Sequence, residues 1–408
     1  MRILFLADAV WDDLPGGSRV VARETASELV LAGHQVTLLC ARHNESAPAD
    51  EMNAYGFRTI RYDGAGKPLD FIRNGRNACA RLVAQEPFDI VHTHFAYASV
   101  GPLRAVPRSV PRIRSFHGPW DQELWIQKTR HDSSPGHRLS TWAKKQYCRY
   151  VETSNLAASQ HVVALSDAFA QILVDRYGVS RDKISIVPGG ADISRFKLGN
   201  AFGERGRLGI PLDRRVILSI RRLAPRMGLD NLIQAMPDVV ARNPDVLLLI
   251  GGKGPERERL QQMVNELHLE RHVRLIGFVS DQDLPAYYQA ADLFVLPTVA
   301  LEGFGLVIVE ALACGVPVIG TPVGAIPETL RRLDGRLVAD GTNSQALGAA
   351  ILRFFDEAWS SILTRERLHD FVESNYTWKH HAAAMEEIYL RALAGRERLV
   401  ERNKTLTE

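Results

Sequence analysis

The sequence has few cysteines and no long apolar run, and both absences limit what the protein can be. Only four of its 408 residues are cysteine (Cys40, Cys79, Cys148 and Cys314), and none forms a C-x-x-C pair. Their spacing fits neither a zinc site nor a disulfide framework, so we expect reduced thiols. No stretch of about 18 uninterrupted apolar residues occurs, which argues against a membrane-spanning helix. The apolar start carries Asp8 and no small-residue cleavage site, so it is expected to be a buried strand rather than a signal peptide.

Excess charge of one sign is also lacking. The 50 Lys and Arg residues nearly balance the 47 Asp and Glu residues, giving a net charge of +3, whereas nucleic-acid-binding proteins show a stronger basic bias. Apolar residues make up 46% and charged residues 24%, which excludes a disordered, collagen-like or coiled-coil chain. The one basic stretch is 101–150, with ten Lys or Arg against three Asp or Glu. We expect no nucleic-acid partner.

Short β-type runs alternate with amphipathic helix-length runs along the whole chain. This alternation is typical of parallel sheets covered by helices on both faces. Two such series occur, so we predict one doubly wound α/β domain over 1–190 and a second over 210–375. A Gly-rich, charged linker is expected over 191–209 and a C-terminal helix over 376–408. Ligands of such sheets bind beyond the carboxyl ends of the strands, so the loops there are the candidates for function.

Two of these loops are rich in glycine. Gly16 and Gly17 precede a predicted helix, where backbone N–H groups can approach an anion; a simple turn capped by Ser18 is the alternative. Gly252 and Gly254 flank Lys253 in a second loop, which is weak evidence alone. Neither loop completes a dinucleotide G-x-G-x-x-G pattern or a P-loop, and no G-x-S-x-G elbow of an α/β-hydrolase is present.

Other strand-end loops carry charged or polar side chains. Arg221 and Arg222 follow a predicted strand and suit bidentate phosphate contacts, with a solvated pair of arginines as the alternative. Glu302 and Glu310 flank a predicted helix start at Gly305, where they could accept hydrogen bonds from hydroxyl groups. His117 ends a predicted strand and is either a donor to substrate or a structural histidine. His92 and His94 lack an evident third ligand, so we expect no metal site.

Together these motifs resemble those of the retaining glycosyltransferases of family 4. The E-x7-E element from Glu302 to Glu310, inside the segment 297–328, is the most specific part. The pairs Gly16-Gly17, His117-Gly118 and Arg222-Leu223, the run 187–192 and the turn 252–255 agree with it. The resemblance implies the GT-B architecture, in which two doubly wound Rossmann-like domains face a central cleft. It further implies that the first domain binds the acceptor, the second binds the nucleotide sugar, and the last helix returns to the first domain.

The resemblance also implies a role for each matching residue. Glu302 would bind hydroxyls of the donor sugar, Glu310 the ribose, and His117 the sugar near its C6 hydroxyl. Arg222 would neutralise the diphosphate together with the amides of residues 304–306. Those amides belong to Phe304, Gly305 and Leu306. Gly16 and Gly17 would close over the phosphates, and Gly277 and Phe278 would meet the base. Gly252 and Gly254 complete the implied donor-binding residues.

One position departs from the family pattern. The family usually reads R-L-x-x-x-K-G, with a phosphate-binding lysine, but here Met227 occupies the lysine position. The adjacent Arg226 is therefore expected to reach the diphosphate instead. The departure also leaves open a degenerate, non-catalytic protein that still binds nucleotide sugars.

The implied reaction transfers a hexose from a nucleoside diphosphate sugar, UDP in preference to GDP, to a glycan, lipid-linked or small-molecule acceptor. Charge on the leaving diphosphate would be stabilised by arginines and helix N-termini, so no metal or other cofactor is expected. The resemblance implies same-face attack by the acceptor, in bacterial glycan or glycoconjugate synthesis. A sugar-nucleotide epimerase, a glycan phosphorylase and an NAD-dependent enzyme fit the motifs less well.

The basic stretch 101–150 suggests where the protein works. Its segment 138–147 mixes cations with aromatic residues, as do helices that rest on anionic bilayers. The alternative is a solvated helix face with Trp142 in the core. We therefore expect a cytoplasmic protein, with a peripheral contact to the inner face of the membrane as a further hypothesis.

Overall fold

The computed structural model describes residues 1–10, 16–64, 67–129, 134–356 and 363–405. The chain divides into two compact units of similar internal connectivity. The first unit comprises Met1–Gln122, Leu139–Gly189 and Trp378–Glu408, and the second comprises Glu123–Arg138 and Gly190–Thr377. Each unit is built on its own β-sheet.

The first unit carries an eight-stranded sheet, and six helices of the described ranges alternate with its strands; the fourth and fifth of these helices include residues of the second unit, within Glu123–Arg138. Its strands are β1 (Arg2–Leu6), β2 (Gln35–Arg42), β3 (Asp50–Met52), β4 (Arg58–Asp63), β5 (Ile90–Thr93), β6 (Arg112–Phe116), β7 (His161–Ala164) and β8 (Ile184–Ile186). The helices are α1 (Gly17–Leu31), α2 (Pro68–Gln85), α3 (Ala96–Ser99), α4 (Trp120–Thr129), α5 (Pro135–Ala157) and α6 (Asp167–Tyr177).

The second unit carries a five-stranded sheet. Its strands are β9 (Arg215–Ile220), β10 (Val246–Gly251), β11 (Val273–Gly277), β12 (Leu293–Leu296) and β13 (Val318–Gly320). Its helices are α7 (Ala201–Leu208), α8 (Leu229–Arg242), α9 (Arg257–Glu266), α10 (Leu284–Ala290), α11 (Leu306–Ala313), α12 (Ile326–Leu330), α13 (Ser344–Asp356) and α14 (Arg365–Asn375). The last helix, α15 (Trp378–Thr405), belongs to the first unit again.

The strand order of each sheet reverses once, as in doubly wound folds. The first sheet runs β3-β4-β2-β1-β5-β6-β7-β8, and every pair is parallel except β3–β4. The second runs β11-β10-β9-β12-β13 and is wholly parallel. The order reverses between β1 and β5 in the first sheet and between β9 and β12 in the second. Ligands of such sheets bind at these switch points, beyond the carboxyl ends of the strands.

Each sheet is buried between layers of apolar side chains, which is why its central strands read as continuous hydrophobic runs. In the second unit, β10 and β12 are buried along their whole length. In the first unit, side chains of α15 join the core against β1: Met385, Ile388 and Tyr389 lie in one cluster with Ile3 and Phe5. Among the helices of the described ranges, none is both long and apolar enough to cross a membrane.

The two-series α/β prediction is confirmed, and the structure differs from the expected elements at a few places. The stretch 191–209 is not a plain linker, because α7 lies within it and belongs to the second unit. Asn200 accepts a hydrogen bond from the Gly203 N–H at its start, and Gly209 ends it in the left-handed conformation. The short strands β3 and β4 and helix α4 were not predicted.

Candidate functional site

A buried ion pair lies at the switch point of the second sheet. Arg221 follows the end of β9, and Glu302 lies in the loop between β12 and α11. Arg221 Nη2 donates a hydrogen bond of 2.7 Å to Glu302 Oε2, and the two side chains are 8% and 11% exposed. Thr298 completes the cluster: its hydroxyl accepts from Arg221 Nη1 at 3.0 Å and lies 3.3 Å from Glu302 Oε2. The doubly wound order thus brings together a cation and a carboxylate that are 81 positions apart.

The charge state of Glu302 follows from this environment. Burial by itself raises the pKa of a carboxyl group, since it penalises the charged form. The positive charges of Arg221 and Arg226 and the hydrogen bonds from Arg221 and Thr298 outweigh burial, so that the pKa of Glu302 lies below its ordinary value. Glu302 is therefore a carboxylate at neutral pH, able to accept hydrogen bonds from hydroxyl groups.

Arg222 and Arg226, both predicted to contact the diphosphate, do not lie beside Glu302 as Arg221 does. The side chain of Arg222 is exposed. Arg226 donates to the Leu301 carbonyl at 2.9 Å and forms an ion pair of 3.0 Å with Glu123. Both line a pocket beside Met227. A phosphate contact by either arginine stays a prediction.

Several hydrogen bonds hold the loop that carries Glu302. The Arg226 carbonyl accepts from the Val299 N–H at 2.9 Å, and the Glu302 carbonyl accepts from the Ala325 N–H at 3.0 Å. Leu301 has a φ of 59°, which is rare for a residue with a Cβ. Strain of this kind persists only where surrounding contacts enforce it, and it is commonest at functional sites.

Glu310 lies on α11, which begins just after this loop. Its Oε2 accepts a hydrogen bond of 2.8 Å from the buried hydroxyl of Tyr288. Burial first, and then the neighbouring carboxylate, raise the pKa of Tyr288 well above its ordinary value, so the phenol remains a donor. Gly305 precedes the helix with a φ of 80°, and the first N–H groups from Leu306 onward have no intrahelical acceptor. Phe304 is buried against Tyr376.

The glycine-rich turn after β10 has a structural reason for its glycines. A Cβ at Gly252 would lie 1.8 Å from the Arg221 carbonyl oxygen, and one at Gly254 would lie 2.1 Å from the Leu223 carbonyl oxygen. These glycines therefore let the turn pack against the segment that carries Arg221. Gly277 ends β11, and the exposed ring of Phe278 after it lies 4.6 Å from Lys253 Nζ. Their predicted contact with a donor is untested.

In the first unit, His117 belongs to a cluster of buried histidines near the β1–β5 switch point. His117 Nε2 lies 3.2 Å from His94 Nδ1, with the rings stacked. His92 lies between the Ser115 hydroxyl and the Tyr389 hydroxyl, each 2.7 Å away, and His381 Nδ1 lies 2.7 Å from the Pro188 carbonyl oxygen. His94 Nε2 and His117 Nδ1 are buried without a hydrogen-bond partner among the described residues.

All four histidines are held uncharged. Burial, followed by the neighbouring positive groups, lowers the pKa of His117 to about 3. Burial lowers the pKa of His381 to about 4, and it is the main reason that the pKa values of His92 and His94 lie well below their ordinary range. A neutral His117 can donate a hydrogen bond from one ring nitrogen while accepting at the other.

The first glycine-rich loop falls partly outside the described residues, which omit 11–15. Gly16 precedes α1, and Gly17 is its first residue. A Cβ at Gly17 would meet no atom within 4 Å, so the described fold itself does not demand glycine there. Arg19, in the first turn of α1, is paired with Asp8 after β1. Across the described ranges, no cluster of three or more histidine, cysteine, aspartate or glutamate residues could hold a metal ion.

Two residues of these clusters, Thr298 and Tyr288, were missed from the sequence, and Arg221 was considered only as one of a pair with Arg222. Arg221, Thr298 and Tyr288 each contact a predicted site residue directly. The alternation of side chains along a strand was an available signal for Arg221, since two consecutive residues at a strand end face opposite ways. No sequence pattern marks Tyr288 as the partner of Glu310.

Comparisons with known proteins agree with this structure. The family described as Glycosyltransferase Family 4 matches residues 15–195, and Glycosyl transferases group 1 matches residues 202–378. A D-inositol 3-phosphate glycosyltransferase of Acidothermus cellulolyticus is 27% identical over 402 residues, covering 93% of this chain and 87% of the relative. A mannosylfructose-phosphate synthase of Agrobacterium fabrum is 28% identical over 401 residues, covering 89% and 84%.

Among solved structures, the sucrose-phosphate synthase of Thermosynechococcus elongatus shares the fold. Its TM-score is 0.80 at 24% identity, over 97% of this chain and 99% of that one. The fold and the sequence matches define a glycosyltransferase of GT-B architecture. Within that class, the chain belongs to glycosyltransferase family 4.

Proposed function

We propose that the protein transfers a hexose from a nucleoside diphosphate sugar, a UDP-sugar first of all, to a hydroxyl of a small phosphorylated acceptor. The observation that carries this proposal is the buried Glu302 carboxylate at the switch point of the second sheet, paired with Arg221. Two of the relatives are named for phosphorylated polyol or sugar acceptors or products, which supports that acceptor class. Glycan and lipid-linked acceptors are the alternatives for the screen.

The chemistry follows from the groups near that switch point. Glycosyl transfer passes through an oxocarbenium-like state while negative charge grows on the departing diphosphate. Arg222 and the N–H groups at the start of α11 would stabilise that charge, and Glu302 would hold hydroxyls of the sugar. The acceptor would attack on the face that the diphosphate leaves, with a phosphate oxygen taking its proton. This route retains the anomeric configuration and requires no metal.

The proposed donor site predicts nucleotide-dependent stabilisation that depends on Glu310. A ligand at 100 times its dissociation constant stabilises a folded protein by about 2.7 kcal/mol. In a thermal-shift panel of UDP, GDP, ADP and dTDP we expect UDP to raise the melting temperature of the wild type. Glu310→Ala should abolish the shift, and the exposed Glu258 on α9 offers the matched control Glu258→Ala, which should keep it.

Turnover distinguishes an enzyme from a protein that only binds. Transfer from the identified donor to inositol phosphates and hexose phosphates is followed by NMR, and an α-linked product from an α-linked donor is expected. A β-linked product would contradict retention. Nucleotide binding with neither transfer nor donor hydrolysis would favour the degenerate protein, and no response to any nucleotide would contradict the proposal as a whole.

We place the reaction in the cytoplasm, beside an anionic membrane that the protein contacts through α5. Support comes from the exposed face of this helix. Leu139, Trp142 and Tyr150 recur there at helical spacing, and Trp142 is 51% exposed, so the alternative with Trp142 in the core is wrong. The exposed cation Arg149 lies on the same face of α5. Aromatic rings with nearby cations are typical of helices that bind bilayer interfaces. The four buried thiols suit a reducing compartment.

A vesicle-flotation assay tests this contact. The wild type is expected to float with phosphatidylglycerol-containing vesicles and to remain at the bottom with pure phosphatidylcholine. Trp142→Ser with Tyr150→Ser should abolish flotation. The control is Leu69→Ser, which removes an equally exposed apolar side chain from α2. Wild-type protein that stays at the bottom with both kinds of vesicle would refute the membrane contact.

A further inference from the structure

The cation paired with Glu302 is Arg221, and not Arg222 or Arg226, the two arginines expected to contact the diphosphate. Arg221 alone places its guanidinium against the Glu302 carboxylate, at 2.7 Å. Arg226 directs its side chain to a backbone carbonyl and to Glu123. Arg222 is exposed. Of these three arginines, Arg221 is therefore buried in the cluster, Arg226 holds the loop, and Arg222 faces the solvent.

We propose that Arg221 is the positioning residue for Glu302. This inference rests on the proposed transferase function, because it assumes that Glu302 meets the donor sugar. Arg221 acts through the carboxylate and does not itself touch the substrate. It sets which oxygen of Glu302 faces the sugar and keeps that carboxylate charged.

The orientation follows from the hydrogen bonds. Both bonds that the described residues make to the Glu302 carboxylate, from Arg221 and from Thr298, go to Oε2. Oε1 is thus left to accept a hydroxyl of the donor. Thr298 also accepts from Arg221 Nη1, so the guanidinium contacts the Thr298 hydroxyl and the Glu302 carboxylate at the same time. A rotated carboxylate would lose these bonds.

The side chain of Met227 lies directly beside the Arg221 guanidinium. Arg221 Nη2 lies 3.1 Å from Met227 Sδ, and the methionine side chain is buried. A lysine side chain at position 227 would extend one atom, the ammonium nitrogen, beyond the length of methionine. If Arg221 were shortened, that ammonium group would lie beside Glu302. The positive charge can therefore be moved from residue 221 to residue 227 and still lie beside Glu302.

This geometry allows the charge to be removed and then returned. The variants are Arg221→Met, Glu302→Gln, Arg221→Met with Met227→Lys, and Arg221→Met with Glu302→Gln, each as the full chain. Arg274→Met is the matched control, since it removes an exposed arginine from β11 of the same unit. For each we measure kcat and KM with the donor identified above, the thermal shift with free UDP, and the melting temperature without ligand.

We expect Arg221→Met to lower kcat by about 100-fold, since a misplaced catalytic contact costs that much. The UDP-induced shift should remain, because free UDP has no sugar for Glu302 to hold. Adding Met227→Lys should recover at least about tenfold of the lost kcat, as expected when an ion pair is rebuilt. Arg221→Met combined with Glu302→Gln should be no slower than Glu302→Gln alone, since both changes act on one contact. Arg274→Met should match the wild type.

Stability provides a second reading if the single variant folds poorly. Arg221→Met leaves a buried carboxylate without its partner, and the melting temperature should fall by roughly 10 °C. Glu302→Gln in the same chain should restore most of that loss. Unchanged kcat in Arg221→Met would overturn the inference while leaving the transferase function intact. Loss of the UDP shift would overturn the positioning role in favour of a direct phosphate contact. A wild type without transfer would instead contradict the function itself.

Discussion

Between pH 6 and pH 5 the free energy of unfolding of the first unit is expected to fall steeply with falling pH. Four buried histidines, His92, His94, His117 and His381, have pKa values below their ordinary range in the folded chain. In the unfolded chain they take up protons below about pH 6.5. The unfolded state then binds more protons than the folded one, so stability decreases as the pH drops. Four such groups contribute a slope of at most about 5 kcal/mol per pH unit.

This slope is measured by urea unfolding at a series of pH values from 7.5 to 5. Hydrogen exchange in peptides from the first unit reports the unfolding of that unit. His381→Asn can keep the hydrogen bond to the Pro188 carbonyl and should reduce the slope by about 1.4 kcal/mol per pH unit. The exposed neighbour His380 provides the control His380→Asn, with the slope unchanged. A flat profile in the wild type would mean that the cluster accepts protons while folded.

Removal of Arg114 is expected to destabilise the first unit by about 3–5 kcal/mol, the usual cost of breaking a buried ion pair from one side. Arg114 Nη2 donates to Glu152 Oε1 at 2.7 Å, and the side chains are 2% and 1% exposed. In Arg114→Met, the Glu152 carboxylate stays buried without its partner. The measurement is the urea-unfolding free energy at pH 7.5, where the histidines are neutral in both states.

The matched comparison removes both charges. Arg114→Met with Glu152→Gln should recover most of the lost stability, because the penalty comes from the stranded carboxylate and not from the missing attraction. A single variant within about 1 kcal/mol of the wild type, a loss that ordinary surface changes produce, would show that Glu152 finds another partner or a proton.

Much of the fold was predictable because hydrophobic runs locate strands within one or two residues. The sequence run Val216–Ile220 is largely hydrophobic, and β9 spans Arg215–Ile220. Helix α7 was missed since its buried contacts are polar: Arg205 donates to the Ala290 carbonyl and pairs with Asp292. The residues that cap this helix, Asn200 and Gly209, were nonetheless recognisable in the sequence. The edge strand β3 is three residues long and half-exposed, so no periodicity could reveal it.

The site was predictable in its carboxylates and less so in its cations. Glu302 and Glu310 follow from their place around a glycine-rich helix start. Which of the neighbouring arginines turns inward depends on how β9 ends and on the space beside Met227, and neither is written in the local sequence. The partner of Arg226, Glu123, lies 103 positions earlier in the chain, beyond the reach of any motif.

The return of α15 to the first unit has a consequence for biosynthesis. During synthesis on the ribosome, residues of β1 emerge long before α15, but the core that covers them includes Met385, Ile388 and Tyr389 from α15. Everything between, including the whole span Gly190–Thr377 of the second unit, is made before that core can close. The second unit can thus complete its fold cotranslationally, while the first unit has to wait, with part of its apolar surface uncovered, until α15 has been made.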